Sequence, residues 1–158
     1  MSDSLRLTTL LAATPDQVYR AWLSSAEHSA FTGSAAEVQA RVGGTFSAWD
    51  GYIVGRVLEL ETSRRIVMDW RTTEFPSGAP DSRVEILLAP EMGGIRLTLV
   101  QTEIPRGDGQ KYDEGWKENY FEPMAGYFRA KAKGRAGKAP KGRTTAKSPN
   151  RKAASRKP

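Results

Sequence analysis

Cysteine is absent from the 158-residue chain, so disulfides, thiolate catalysis and cysteine-held metals are excluded. There is a single histidine, His28, which leaves no second imidazole for a transition-metal site. No apolar run approaches the roughly 18 residues a membrane span needs. The opening Met-Ser-Asp-Ser-Leu-Arg lacks the basic start and apolar stretch of a signal peptide. Together these absences set the expectation of a soluble cytoplasmic protein without a membrane span, and nothing in the pattern asks for a cofactor. Acidic residues are missing from one region only. Residues 131–158 hold 11 Lys and Arg and no Asp or Glu, whereas residues 1–130 hold 13 against 18; a net +11 beside a net −5 makes the overall +6. The pI of about 9.7 therefore describes the end of the chain, and the part before it is mildly acidic.

That division sets the expected domains: a globular unit over residues 1–130 and a tail over 131–158. The tail carries Lys131, Lys133, Arg135, Lys138, Lys141, Arg143, Lys147, Arg151, Lys152, Arg156 and Lys157, interleaved with Ala, Gly and Pro and with no aromatic or large aliphatic residue. It cannot bury enough apolar area to offset an ordering entropy of about 1 to 2 kcal/mol per residue, so disorder is expected, with the preceding helix fraying into it for about a turn. Such a tail would attract nucleic acid non-specifically or lie on its own acidic domain, and a purely solubilising role is equally compatible with it.

Within the globular unit, Leu5, Leu7, Thr9 and Leu11 alternate with Arg6, Thr8 and Leu10, which predicts a strand over residues 5–12 with one buried face. Thr14-Pro15-Asp16-Gln17 then supplies an N-cap hydroxyl, a proline at the first helical position and Gln at the capping-box position. A second short helix should run through His28 and Phe31 and stop at Gly33. From residue 35 the pattern is β: residues 36–41, 45–49, 52–61, 65–71, 81–88 and a last strand through Ile95, Leu97, Leu99 and Gln101. Asp50-Gly51 is expected to form a two-residue hairpin turn, and Pro90 to Gly94 to turn the chain before that last strand. Consecutive strands without intervening helices imply an antiparallel meander. The stretch Asp113 to Arg129 closes the unit as a helix, with Trp116, Tyr120, Met124 and Tyr127 on one side and Phe121, Ala125 and Phe128 beside them. Pro123 should kink it about a turn upstream, near Asn119.

Several segments resemble a known family: Val18-Tyr19-Arg20-Ala21-Trp22, Ala30-Phe31-Thr32, Gly43-Gly44-Thr45-Phe46, Asp50-Gly51, Arg65 to Arg71, Glu114-Gly115-Trp116 and Tyr120-Phe121-Glu122-Pro123. In order and spacing they are similar to the domain of the activator of the heat-shock protein 90 ATPase and its stand-alone bacterial homologues, in the START-like (SRPBCC) helix-grip superfamily, over Leu7 to about Phe128. The resemblance implies an α+β helix-grip fold: a curved antiparallel sheet of six or seven strands around a long C-terminal helix, two short helices after the first strand, and a cavity that often holds an apolar ligand. It also implies a chaperone as a candidate partner. The eukaryotic activator is similar only in its C-terminal half, and its N-terminal domain has no counterpart within these 158 residues.

Strand alternation and helix face place Trp22, Phe31, Phe46, Met68, Trp70, Ile86, Leu88, Leu97, Leu99, Gln101, Trp116, Tyr120 and Met124 on the inner wall as the candidate cavity set. Regularly spaced apolar residues of this kind ordinarily fill a core, and a nearly filled interior is the plainer expectation; the Pro123 kink and four tryptophans leave room for a pocket. Gln101 is the polar exception. It is expected either to reach solvent at its strand end, the preferred reading, or to need a partner such as Tyr120 or a ligand. His28 is read as a surface or helix-end residue, because Ser24, Ser25 and His28 carry no nucleophile-elbow signature. Gly43-Gly44 and Gly93-Gly94 lack the spacing and lysine of a phosphate loop and read as turns. Asp69, Glu85 and Glu103 are read as solvated strand faces. The function that follows is a non-catalytic, apolar small-molecule-binding or chaperone-associated domain, with a cavity-based cyclase or hydrolase and tail-borne nucleic-acid association as alternatives.

Overall fold

A computed structural model describes residues 2–138. Seven strands form one antiparallel sheet in the order β1-β7-β6-β5-β4-β3-β2. They are β1 (Asp3–Leu11), β2 (Glu37–Val38), β3 (Thr45–Ala48), β4 (Ile53–Glu61), β5 (Arg65–Thr72), β6 (Ser82–Glu91) and β7 (Gly94–Ile104). β2 to β7 are a meander, and the first strand closes the far edge by pairing with the last, Leu7 opposite Leu99. Helices α1 (Pro15–Leu23) and α2 (Ser25–Thr32) follow β1; α3 (Gly109–Trp116), a five-residue π turn (Lys117–Phe121) and α4 (Glu122–Lys138) form one continuous rod after β7. This is the helix-grip arrangement.

Local chemistry explains most boundaries. Thr14 Oγ1 accepts from Gln17 N at 3.1 Å and Gln17 Oε1 accepts from Thr14 N at 2.8 Å, the reciprocal capping box its sequence announces. Ser24 caps α2 through Glu27 N, and Gly33, at φ 79°, ends it in the left-handed region. Met92-Gly93 is the turn between β6 and β7, tighter than the Pro90 to Gly94 turn expected, since Glu91 pairs with Gly94.

Three elements differ from expectation. The residue 36–41 strand shrinks to Glu37–Val38. Beyond Val38 the chain turns back on itself, Arg41 N donating to the Gln39 carbonyl at 2.8 Å and Gly44 N to the Arg41 carbonyl at 2.9 Å. The β3–β4 connection takes four residues, not two: Ala48 and Ile53 are the last pair, and Trp49, Asp50 and Gly51 all lie at positive φ (53°, 56° and 88°). The last helix begins at Gly109, four residues earlier than expected, and runs on to Lys138. Its irregularity falls where Pro123 predicts. With no N–H at 123, the carbonyl four residues back loses its donor, and the backbone widens into i→i−5 bonding, Glu122 N reaching Lys117 O. Of the tail expected over 131–158, residues 131–138 are thus helical and residues 139–158 lie outside the described residues.

A bulge at Thr102-Glu103, with Glu103 at φ 61°, shifts the β1–β7 register by one residue and turns Ile104 back into the core, where it is fully buried. The core lies between the concave face of the sheet and the helices. Among the described residues no helix is long and apolar enough to cross a membrane.

Candidate functional site

Every residue of the cavity set is buried, from Phe46 at 7% exposed to Ile86, Leu97, Leu99, Gln101 and Met124 at 0%. Most of them fill the interior. Trp22 stacks on Tyr120 with centroids 5.0 Å apart and packs against Phe31 at 6.1 Å. Phe46 lies over Gly55, where a side-chain carbon would come within 2.6 Å of its ring. Phe46 borders a surface groove with Ser25, Glu37 and Thr45, and Trp70, Trp116 and Tyr120 reach a separate open space.

That space is a cavity of about 310 Å³ at one end of the grip, lined by Trp49, Tyr52, Ile53, Trp70, Lys111, Tyr112, Gly115, Trp116, Asn119 and Tyr120. Strand alternation could not find the rest of this lining: Trp49 and Tyr52 belong to the four-residue β3–β4 loop, Lys111 and Tyr112 to the turn of helix that begins earlier than expected, and Gly115 and Asn119 to the expected helix but outside its apolar side. The helix contributes at Gly115 and Asn119 because the π turn starts between them and opens the rod over the sheet.

The hydroxyls and amides beneath the cavity are committed to one another. Trp116 Nε1 donates to Gln101 Oε1 at 2.8 Å; Gln101 Nε2 donates to Ser82 Oγ at 2.9 Å; Ser82 Oγ donates to the Trp70 carbonyl at 2.7 Å. Gln101 is therefore neither exposed at its strand end nor paired with Tyr120. Its neighbours on β6 and α3 satisfy it, since β7 continues three residues further and covers it. Tyr112 shares a 2.7 Å hydrogen bond with Thr72.

His28 corrects a second expectation: it is 1% exposed, not a surface residue. Its Nδ1 lies 2.8 Å from the Trp22 carbonyl and its Nε2 2.8 Å from the Tyr120 hydroxyl. A carbonyl only accepts, so Nδ1 carries the proton, Tyr120 donates to Nε2, and the ring is neutral. Burial pushes the His28 pKa down to about 4, against a smaller upward effect of the Trp22 carbonyl. Burial also raises the Tyr120 phenol far above its ordinary value. Ser24 and Ser25 do not join His28: Ser24 caps α2, and Ser25 Oγ accepts from Val38 N at 2.8 Å.

At the rim, Glu74 accepts from the Tyr52 hydroxyl at 2.9 Å and from Lys111 Nζ at 2.8 Å. The Glu74 contact raises the Lys111 pKa, and burial pushes the Tyr52 phenol up to about 12. One polar atom is left over. Among the described residues, Trp49 Nε1 is the one buried side-chain nitrogen or oxygen without a hydrogen-bond partner.

Outside the cavity, Asp69 is half-buried and accepts from Arg56 N at 2.6 Å, and Glu85 pairs with Arg65 on the outer face; Glu103 is exposed as expected. Of the tail cations, Lys131 bonds Glu27 at 3.1 Å and sits over the Tyr127 ring, while Lys133 is exposed on α4. Arg135 and Lys138 belong to the same helix. Lys141, Arg143, Lys147, Arg151, Lys152, Arg156 and Lys157 lie outside the described residues. No group of three His, Cys, Asp or Glu able to hold a metal occurs among the described residues.

Comparison with known proteins places this geometry. A family model described as "Activator of Hsp90 ATPase homolog 1-like protein" matches residues 12–129. The chain is 31% identical over 123 residues to the mouse activator of 90 kDa heat shock protein ATPase homolog 2, covering 78% of this chain and 37% of that protein. It thus spans about a third of the length of the curated relatives it matches. Among solved structures, a protein from Chromobacterium violaceum is similar at 30% identity with a TM-score of 0.65, over 81% of this chain and 98% of that one. An HSP90 activator from Plasmodium falciparum shares the fold with a TM-score of 0.68 at 24% identity, over 75% of this chain and 91% of that one.

Proposed function

The chain belongs to the activator of Hsp90 ATPase homolog 1-like family, and from that premise we propose that its folded part is a non-catalytic binding module whose cavity takes an apolar small molecule. The observation that carries this reading is the cavity itself: about 310 Å³, at the lower end of the about 300 to 1,000 Å³ usual for ligand sites, with six aromatic side chains in its wall. Its chemistry favours holding over turnover. No carboxylate lines it, His28 lies outside it with both ring nitrogens committed, and Lys111 is kept protonated by Glu74. A cyclase or hydrolase of related fold would need a proton acceptor on that wall.

The experiment is a thermal-shift and native mass-spectrometry screen of the full chain against aromatic metabolites, fatty acids and lipids. A new Cβ at Gly115 would meet nothing closer than Asn119 Nδ2 at 3.9 Å, so Gly115→Leu places a side chain in the cavity without displacing the core. An aromatic hit that raises Tm in the wild type and not in Gly115→Leu supports the reading. Silence across the library, with the unaltered mass of the chain from cells, overturns it.

A second reading, a chaperone-associated module, rests on the relatives named as activators of a heat-shock protein ATPase. Its test is retention of the full chain on immobilised chaperone with and without nucleotide. Association of the cationic tail with nucleic acid stands as a separate proposal, tested by whether removing residues 139–158 abolishes salt-sensitive retention on DNA.

A further inference from the structure

Most polar side chains in the cavity wall are already spent. The phenols of Tyr52, Tyr112 and Tyr120 are committed to Glu74, Thr72 and His28, and the Trp116 indole is committed to Gln101. The Trp49 Nε1 atom is sealed from solvent and offers a ligand nothing. Lys111 has protons to spare beside Glu74, but it only donates, and Glu74 already meets its charge. One lining side chain keeps both kinds of capacity. Among the described residues, none hydrogen-bonds the Asn119 carboxamide, which carries two N–H donors and a carbonyl.

Helical spacing sets where that amide stands. Lys111, Gly115 and Asn119 follow one another at intervals of four along the rod, and all three line the cavity. Bare Gly115 leaves the space, and the amide leans towards it: a Cβ at Gly115 would have Asn119 Nδ2 as its nearest neighbour, at 3.9 Å. Asn119 is exposed, so water serves its amide while the cavity is free. A flat ligand seated over Gly115 strips that water away. Covering an amide without replacing its hydrogen bonds is unfavourable, whereas a ligand edge that supplies an acceptor and a donor restores both.

Resting on the small-molecule reading above, we propose that the ligand is a flat, neutral aromatic compound with a lactam-type edge, an N–H beside a carbonyl, and that the Asn119 carboxamide selects it by pairing with both. Flatness follows from the rings of Trp70, Tyr112 and Trp116, which reward offset stacking and edge contacts. The paired edge follows from a carboxamide that donates and accepts side by side, whichever way it is turned. Neutrality follows from the Lys111–Glu74 pair and from a wall without carboxylates.

The test uses 2-quinolinone and coumarin, which share size, planarity and a carbonyl and differ in a ring N–H against a ring oxygen, with naphthalene as the apolar control. Each is titrated into the full chain, Asn119→Leu and Gly115→Leu by tryptophan fluorescence, and the asparagine side-chain amide resonances are followed by NMR. Desolvating an N–H that finds no acceptor is unfavourable, so a cavity without one binds coumarin the tighter. The inference expects the reverse in the wild type: 2-quinolinone binds about five- to tenfold tighter than coumarin, the value of one net hydrogen bond. It also expects the Asn119 amide protons to move downfield with 2-quinolinone and not with naphthalene. Asn119→Leu should abolish or reverse the preference while naphthalene still binds, which shows that the variant is folded with its cavity intact, and Gly115→Leu should exclude all three probes. A wild type without the 2-quinolinone preference, or a preference that survives Asn119→Leu, overturns the lactam inference and leaves the binding module standing. If no probe binds, or Gly115→Leu binds all three unchanged, the cavity reading falls and this inference with it.

Discussion

His28 couples stability to pH through a single buried ring. Its pKa is near 6.5 when unfolded and about 4 in the fold, so the folded state resists the proton that the unfolded state accepts. The stability from the neutral ring is complete above pH 6.5 and is lost as pH falls towards 4. The full loss is on the order of 3 kcal/mol, which unfolding in urea at pH 7 and pH 4.5 should register as a lower midpoint at the acid end. Tyr120→Phe removes the donor to His28 Nε2 and should cost about 1 to 3 kcal/mol at pH 7. It should also lessen the acid sensitivity, since a ring without that donor is protonated more easily. Gln101→Leu removes the acceptor of the Trp116 N–H and should cost a similar amount in the same assay. An unchanged midpoint in that variant would mean that the relay from Trp116 to the Trp70 carbonyl reorganises freely.

The rod from Gly109 to Lys138 is one element in two α registers joined by the π turn. The wider turn rotates the residues after it, so that Tyr120 and Phe121 both face the core while Asn119 stays at the cavity mouth. Gly115 precedes that turn and faces the cavity, not a neighbour. Gly115→Ala should therefore raise stability by about 0.5 to 1 kcal/mol, the helical preference of Ala, while weakening any cavity ligand. Denaturant midpoint and probe affinity moving in opposite directions would separate the glycine's role in the cavity from its role in the helix. The capping box, the Gly33 stop and the Pro123 irregularity were all readable from the chain because each is a local hydrogen-bonding rule. The four-residue β3–β4 loop was not: Asp50-Gly51 permits a two-residue turn, and the contacts of Asp50 with Ala35 and of Thr73 with Tyr52 draw out the longer one.

Assembly of the sheet depends on the most distant pairing in the chain, β1 against β7, which also carries Asp3 onto the start of α3 by accepting from Gly107 N at 3.0 Å and Gly109 N at 2.9 Å. Removing residues 2–11 would strip β7 of its outer partner and the rod of its anchor. The expected result is loss of a cooperative thermal transition, read by near-ultraviolet circular dichroism; a sharp transition at the original Tm would show that the meander and rod fold without β1. Pairings this long-range also place folding in the millisecond-to-second regime typical of sheet-rich domains.

Alternation and helical spacing determined which side chains go inside, so the thirteen residues assigned to the inner wall are all buried, and the order of strands and helices was legible with them. Periodicity reports which face a residue takes; it does not report where two faces fail to meet. The opening lies where the widened helix passes over the β3–β4 loop, and its wall draws on residues more than sixty positions apart, Trp49 to Asn119. For the same reason the partners of Gln101 and His28 emerged only once β6, α1 and the rod converged on them. A buried polar group is satisfied by whatever the fold brings within about 3 Å, a distance set by packing and not by sequence neighbours.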